Sequence, residues 1–275
     1  MSKTIFITGC SSGIGYATAH YLRQHGWQVI ASCRKAEDVL RLQQEGLECV
    51  QLDMTDSAQI QHVLQHIGQN RTLDAIFCNA GYGQTGAVED VSRAALREQF
   101  ETNVFGTWEC IRHAMTLFRR QGHGRIIVNS SILGFAGMPW RGAYNSSKFA
   151  LEGLCDTLRT ELFGSQIFVS LLQPGPITSK FRPNALQKFH QYIDWQHSVH
   201  KTAYEKQLAR LNTKGNANPF TLPAEACAKA VLQCLNSAKP KARYQVTFPT
   251  KLYWWLRRLL PTRCFDWANW KGGNK

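Results

Sequence analysis

Alternation is the feature that restricts this chain most. Through its first two-thirds, short runs of apolar and β-branched residues are followed by stretches with helical periodicity. Residues 4–8, 28–32, 48–52, 75–78, 125–129 and 167–172 read as strands. Residues 13–25, 36–45, 57–67, 101–119 and 143–163 read as the helices between them. Strands separated by helices pair in parallel, with the crossovers packed on the sheet faces. Ile126-Ile127-Val128 and Phe168-Val169-Ser170-Leu171-Leu172 are nearly unbroken apolar runs, as strands covered on both faces should be. A helix over 223–236 and a short strand over 243–247 resume the pattern. The expected fold is therefore α/β, a doubly wound parallel sheet of about seven strands with helices on both faces.

Between Pro174 and residue 223 the pattern lapses. Residues 180–220 are rich in His, Gln, Asn and aromatics without a clear strand, which reads as an insertion after the sixth strand. No repeat, low-complexity linker or compositional break marks a second core, so residues 1–248 are expected to form one domain and 249–275 a tail. From Lys239 to the end, nine Lys/Arg stand against one acid, Asp266, so the tail carries much of the net charge of +13. It also holds Trp254, Trp255, Trp267 and Trp270. Residues 252–260 pattern as a short amphipathic helix, with Leu252, Trp255, Leu256 and Leu259 on one face and Lys251 and Arg258 off it. Such a helix suits peripheral contact with a membrane surface, or packing on the body or on a second subunit.

Nine cysteines, an odd number, include no C-x-x-C pair and no zinc-like spacing. Cys10, Cys33, Cys49, Cys78 and Cys110 lie in or beside apolar runs, which reads as reduced, buried thiols in a reducing compartment. The apolar run at residues 3–8 is too short for a signal peptide, and no run reaches the roughly 18 apolar residues of a spanning helix. A cytoplasmic protein is expected. His190, His197 and His200 lack a carboxylate pattern beside them, so no metal site is expected.

Two local constellations carry chemistry. Gly9, Gly13 and Gly15, with Ser11, Ser12 and Ile14 between them, lie where the first strand turns into the first helix. Glycines there let the backbone approach a pyrophosphate, whose charge then sits on a helix N-terminus. The second strand ends at Arg34 with no acid until Glu37. A carboxylate would repel a 2′-phosphate and a guanidinium binds it bidentately, so NADP(H) is the expected dinucleotide. Further on, Tyr144 and Lys148 open a helix at i and i+4 and share a face. Ser131 lies thirteen residues before Tyr144, just past an apolar strand, where open sheets bind ligands.

The glycine loop, Asn79-Ala80-Gly81, Ser131 and Tyr144-x3-Lys148, in this order and spacing, resemble the short-chain dehydrogenase/reductase family over about residues 3–180 and the later helix and strand. Arg141 to Glu152 and Pro174-Gly175-Pro176-Ile177 are most similar to bacterial NADP-dependent aldehyde reductases and to the 17β-hydroxysteroid and retinol dehydrogenase branch. The resemblance implies a Rossmann-type fold with a substrate-covering insertion after strand six. It implies Tyr144 as general acid/base, Ser131 on the substrate carbonyl, Lys148 on Tyr144 and the nicotinamide ribose, and Asn103 holding a relay water. Ser130 competes with Ser131 for that role, and the thirteen-residue spacing favours Ser131.

The resemblance also implies cofactor contacts from Asp53 near the adenine, from Asn79, Ala80 and Gly81, and from Pro174 and Gly175. For Asp53 a helix cap is the rival reading. Where the family often has threonine after that proline, this chain has Ser179 beside Thr178, and Ser179 is the expected contact. A lysine about 4–5 Å from the phenol, at an effective dielectric near 20, would favour phenolate by roughly 3–4 kcal/mol, or two to three pK units.

These readings converge on an NADPH-dependent reductase of aldehydes or lipophilic ketones. Phe181, Phe189, Tyr192, Ile193 and Trp195 of the insertion are expected either at an apolar substrate pocket or packing the helices against each other. A 3-oxoacyl carrier-protein reductase would suit the basic surface, but the insertion and tail argue against it. A non-catalytic NADP-sensing protein would need no acid at Tyr144, and nothing in the cofactor motifs favours nucleic acid. A homodimer through the helices at 102–119 and 143–163 is implied by the resemblance.

Overall fold

The computed structural model describes residues 2–212 and 218–273. Residues 213–217 of the expected insertion and the last two of the tail lie outside that range. In chain order the elements are β1 (Thr4–Ile7), α1 (Gly13–Gln24), β2 (Gln28–Cys33), α2 (Ala36–Gln44), β3 (Glu48–Gln51), α3 (Ser57–Asn70) and β4 (Ala75–Cys78). Then come α4 (Arg93–Phe100), α5 (Gly106–Gln121), β5 (Gly124–Asn129), α6 (Gly142–Glu161) and β6 (Ile167–Gln173). The C-terminal third adds α7 (Phe181–Tyr192), α8 (Lys201–Asn212), α9 (Glu225–Asn236), β7 (Arg243–Gln245), α10 (Phe248–Leu259) and α11 (Thr262–Gly273).

The seven strands form one parallel sheet in the order β3-β2-β1-β4-β5-β6-β7, the doubly wound arrangement expected. The order reverses between β1 and β4, so the crevice for a ligand opens at their carboxyl ends. Strand parity sorts the core. Phe6, Ile76, Ile126 and Val128 pack on one face with Ile60 and Leu64 of α3, Ala114 and Phe118 of α5 and Leu151 of α6. Ile5, Ile7, Phe77 and Ile127 point the other way, onto Ala19 and Leu22 of α1, Leu42 of α2 and Val231 and Leu235 of α9.

The helix expected over 101–119 begins earlier and is interrupted. α4 runs into a π-helical turn over Glu101–Phe105 before α5 starts. Gly106 follows that turn because α5 crosses the end of β3 closely: a Cβ at 106 would lie 2.1 Å from the Met54 carbonyl oxygen.

The tail is two helices, not one. α10 packs one side on the 3₁₀ turn Ile132–Gly134 and on Phe135, with Trp254 edge-on to Phe135 at 5.5 Å. Tyr253 and Phe265 join α10 to α11, ring centres 6.1 Å apart. The face expected for α10 is divided by this packing. Leu256 turns toward the body, whereas Leu252, Trp255 and Leu259 remain exposed.

Candidate active site

At one end of the crevice the glycine loop is shaped by close backbone approach. Gly9 has φ +71°, and a Cβ there would lie 2.7 Å from the Ala80 Cα. A Cβ on Gly15 would lie 2.3 Å from the Gly9 carbonyl oxygen and 2.4 Å from Asn79 Nδ2. Asn79 ties this corner together. Its Nδ2 donates to the carbonyls of Thr8 and Gly9, both at 3.0 Å, and its Oδ1 accepts from Asn129 at 2.9 Å. Ser12 precedes α1 in an extended conformation without a side-chain cap, so its side chain takes none of the first-turn amides. Ser11, Ser12 and Ile14 are half-buried.

Ser179 lies against this loop: a Cβ on Gly13 would sit 3.0 Å from the Ser179 Cβ. Thr178 is exposed, its amide bonded to the Leu222 carbonyl. Pro174 accepts from the Ile132 amide at 2.8 Å, and Gly175 packs so closely on Thr247 that a Cβ would lie 2.2 Å from its hydroxyl. Gly81 faces the Asn103 side chain, 2.9 Å from where its Cβ would be. Arg34 is exposed at the end of β2. Asp53 makes a local turn, accepting from the amide and hydroxyl of Thr55 at 2.9 and 2.8 Å. The cap of α3 is Asp56, which accepts from the Gln59 amide. Sequence reasoning missed Arg41, whose guanidinium donates to the Ser11 carbonyl at 2.8 Å from α2. Nothing in the sequence marks a helix surface arginine as reaching a loop thirty residues earlier.

At the other end stand Ser131, Tyr144 and Lys148, all buried. The two serines are separated by their partners. Ser130 donates to Glu152 at 2.6 Å, within a buried set in which Gln173 and Arg243 also bind that carboxylate. Ser131 instead accepts from the Leu133 amide, and its hydroxyl is the group that opposes the upward shift of the Tyr144 phenol. Lys148 Nζ donates to the Asn129 carbonyl at 2.6 Å and sits 5.6 Å from the centre of the Tyr144 ring. Asn129 thus anchors both the lysine and Asn79, a role its sequence position did not signal. Asn103, in the π turn, holds the Tyr82 backbone from both sides and donates to Ser147 at 3.2 Å; Ser147 in turn donates to the Tyr144 carbonyl.

Burial leads the titration of both Tyr144 and Lys148. Burial pushes Tyr144 up to about 12, with the Ser131 hydrogen bond opposing. Burial also brings Lys148 down to about 8, with the Glu152 charge opposing. In each group the shift is led by the cost of taking its own charged form out of water.

The insertion reaches the site through Phe181. Its ring packs edge-on to Tyr144 at 5.2 Å and lies against Gly83, where a Cβ would meet it at 2.4 Å. For other residues of this set the packing alternative holds. Phe189 and Ile193 are buried with Ala87 and Tyr204, and the Tyr192 hydroxyl donates to Glu98. His197 and His200, expected to lack carboxylates, pair with Asp194 and Glu89. Trp140, four residues before Tyr144, has φ +65°, a strained conformation for a bulky residue. Its carbonyl accepts from Gly86 at 2.9 Å, and its ring packs on His200 and Tyr204.

The family model described as short chain dehydrogenase matches residues 3–188, which span the glycine loop and the serine, tyrosine and lysine. The chain belongs to the short-chain dehydrogenase family. It is similar to an uncharacterized oxidoreductase, YbbO, of Escherichia coli strain K12, with 38% identity over 268 residues, covering 97% of this chain and 93% of the relative. It is also similar to human 17-beta-hydroxysteroid dehydrogenase type 1, with 32% identity over 266 residues, covering 90% of this chain and 78% of that one. Among solved structures, a short-chain dehydrogenase/reductase from Burkholderia phymatum in complex with NAD superposes with a TM-score of 0.77 at 23% identity, covering 94% of this chain and 92% of the other. This short-chain dehydrogenase is an oxidoreductase with the nucleotide-binding fold of its relatives.

Proposed function

We propose that this short-chain dehydrogenase is an NADP(H)-dependent enzyme interconverting an aldehyde or lipophilic ketone with its alcohol. The observation that carries the reading is the buried Ser131–Tyr144 pair, with Lys148 behind it, at the carboxyl edge of the sheet beside the glycine loop.

The residues present fit a dinucleotide. The cradle around Gly9 and Gly15 tolerates no Cβ, and the Ser12 side chain does not cap α1. Gly9, Ser11, Ser12, Gly13, Ile14 and Gly15 would hold the pyrophosphate, with Asn79, Ala80 and Gly81 along the cleft and Asp53 at the adenine. Pro174, Gly175 and Ser179 would border the nicotinamide. Arg34 supports a 2′-phosphate, because an exposed guanidinium stands at the end of β2 where NAD-binding sites usually carry an acid. When bound, the cofactor supplies the hydride.

The chain's own groups handle the proton. Ser131 would hold the carbonyl oxygen at the Tyr144 hydroxyl. Tyr144, kept protonated by burial, gives its proton to the developing alkoxide. Lys148 presents a buried cation behind the phenol, which stabilises the phenolate left by that transfer. Asn103 positions α6 through Ser147. Phe181 shields the centre from water and favours lipophilic substrates.

A homodimer through α5 and α6 accords with exposed Trp108 and Phe149 on these helices. A cytoplasmic setting accords with nine free thiols, eight of them buried. The test of the function is a panel of carbonyl substrates with NADPH and NADH, run on the wild type and Tyr144→Phe. The variant should bind NADPH normally and lose about 10²–10⁴ in kcat. Turnover within a few-fold of wild type would overturn the assignment.

A further inference from the structure

The outer face of the tail is unlike ordinary surface. On α10, Phe248, Leu252, Trp255 and Leu259 recur at i, i+4, i+7 and i+11, forming one stripe along the helix. They are 59, 42, 60 and 73% exposed. Exposed Phe220 extends the stripe, its ring centre 5.3 Å from that of Phe248, and α11 adds exposed Trp267 and Trp270. The helix does not need this face to hold its place. Its opposite side already docks on the body through Thr250, Tyr253, Trp254 and Leu256. A helix anchored by one apolar face therefore presents a second one outward, and contiguous exposed apolar surface of this kind marks a contact site.

The charge around the stripe selects the occupant. Lys251, Arg257, Arg258, Arg263 and Lys271 are all exposed, and the tail's one acid is Asp266. Lys271 lies 4.3 Å over the ring of Trp267, an aromatic–cation arrangement that tolerates a half-wet environment. A second copy docking here would set this basic surface against its own like charge. An anionic lipid headgroup layer offers the opposite charge together with an apolar layer below it.

We propose that the face built by Phe248, Leu252, Trp255 and Leu259 docks the protein on an anionic lipid bilayer surface. The helix lies in the plane of the interface, its tryptophans at headgroup level and its cations among the lipid phosphates. Among the described residues no helix is long and apolar enough to cross a membrane, so the contact is peripheral. On its inner side the same hairpin packs Phe265 into the cluster that contains Tyr144. Docking therefore holds the reaction centre close to the lipid surface.

The test is cosedimentation of the full chain with vesicles of phosphatidylcholine alone and of phosphatidylcholine mixed with phosphatidylglycerol. Wild type should pellet with the mixed vesicles at least about tenfold more readily than with the neutral ones, and less so as salt is raised. The double variant Trp255→Ser/Leu259→Ser should lose about tenfold or more in binding. Lys251→Glu/Arg263→Glu should fall in the same direction. All four side chains are exposed, so circular dichroism and reduction of a water-soluble aldehyde should be unchanged. Wild type left in the supernatant with the mixed vesicles would overturn the proposal, as would undiminished binding by both variants. A dimer that Trp255→Ser/Leu259→Ser dissociates, without vesicle binding by wild type, would make the stripe a subunit interface instead.

Discussion

Gly9 offers the sharpest separation of backbone strain from packing. It and Gly164 share a left-handed backbone, φ +71° and +82°. They differ in what a methyl would meet: the Ala80 Cα at 2.7 Å in one case, nothing within 4 Å in the other. Gly164→Ala incurs only the left-handed penalty of about 1–2 kcal/mol, partly offset by about 0.4–1 kcal/mol from the less disordered unfolded chain. Its net loss is about 1 kcal/mol, or roughly 2–4 °C in Tm. Gly9→Ala carries the same penalty plus overpacking against a backbone atom that has no rotamer to escape to, about 1–3 kcal/mol more. A total of about 2–4 kcal/mol corresponds to roughly 5–12 °C. The added methyl also separates the loop from Asn79 and Ala80, so NADPH should bind at least about tenfold more weakly in Gly9→Ala and equally well in Gly164→Ala. Thermal unfolding followed by circular dichroism, with NADPH titration by fluorescence, measures both. Equal Tm losses in the two variants, or wild-type NADPH affinity in Gly9→Ala, would refute the close-approach argument.

Replacing Arg34 by Glu should raise the KM for NADPH by about tenfold or more, by removing a bidentate partner and adding repulsion, while sparing NADH. Parallel kinetics with the two cofactors decide this, and an unchanged NADPH/NADH ratio removes Arg34 from the site. Lys148 should leave a pH signature in stability. Its pKa falls from 10.5 to about 8 on folding, so below pH 8 both states are charged and the full burial cost is present. Between pH 8 and 10.5 the unfolded chain keeps a proton that the native state has lost, and stability rises with pH. Wild type should therefore gain about 2 kcal/mol on Lys148→Met between pH 7 and 9.5. Denaturant midpoints of the pair give the difference, and a flat one would mean that the ammonium is not desolvated.

Much of this protein was legible because its signals are local. Strand and helix periodicities need only neighbouring residues, and the seven strands fell where the apolar runs lie. Tyr144 and Lys148 share a face by helical geometry alone. The glycines of the cofactor loop announce close approach, although which atoms approach is a matter of Ala80 and Asn79, some seventy residues on. The insertion left two readings open for a related reason. Phe189 and Phe181 are chemically alike, and spacing does not say which of them meets Tyr204 and which meets Tyr144.

By itself the sequence determined the order of strands and helices, the parity that sends Phe6 and Ile7 to opposite faces, and the positions of Tyr144, Lys148 and the glycine loop. Only the tertiary structure separates the surroundings of Ser130 and Ser131, because they depend on where Glu152 and Tyr144 lie. It also decided the electrostatics of the centre: a pair spacing shows attraction, whereas desolvation depends on everything packed around the pair. The same holds for α10. Its composition made it apolar on more than one side, and the body it packs on determined that Leu256 is covered and that Trp255 faces outward.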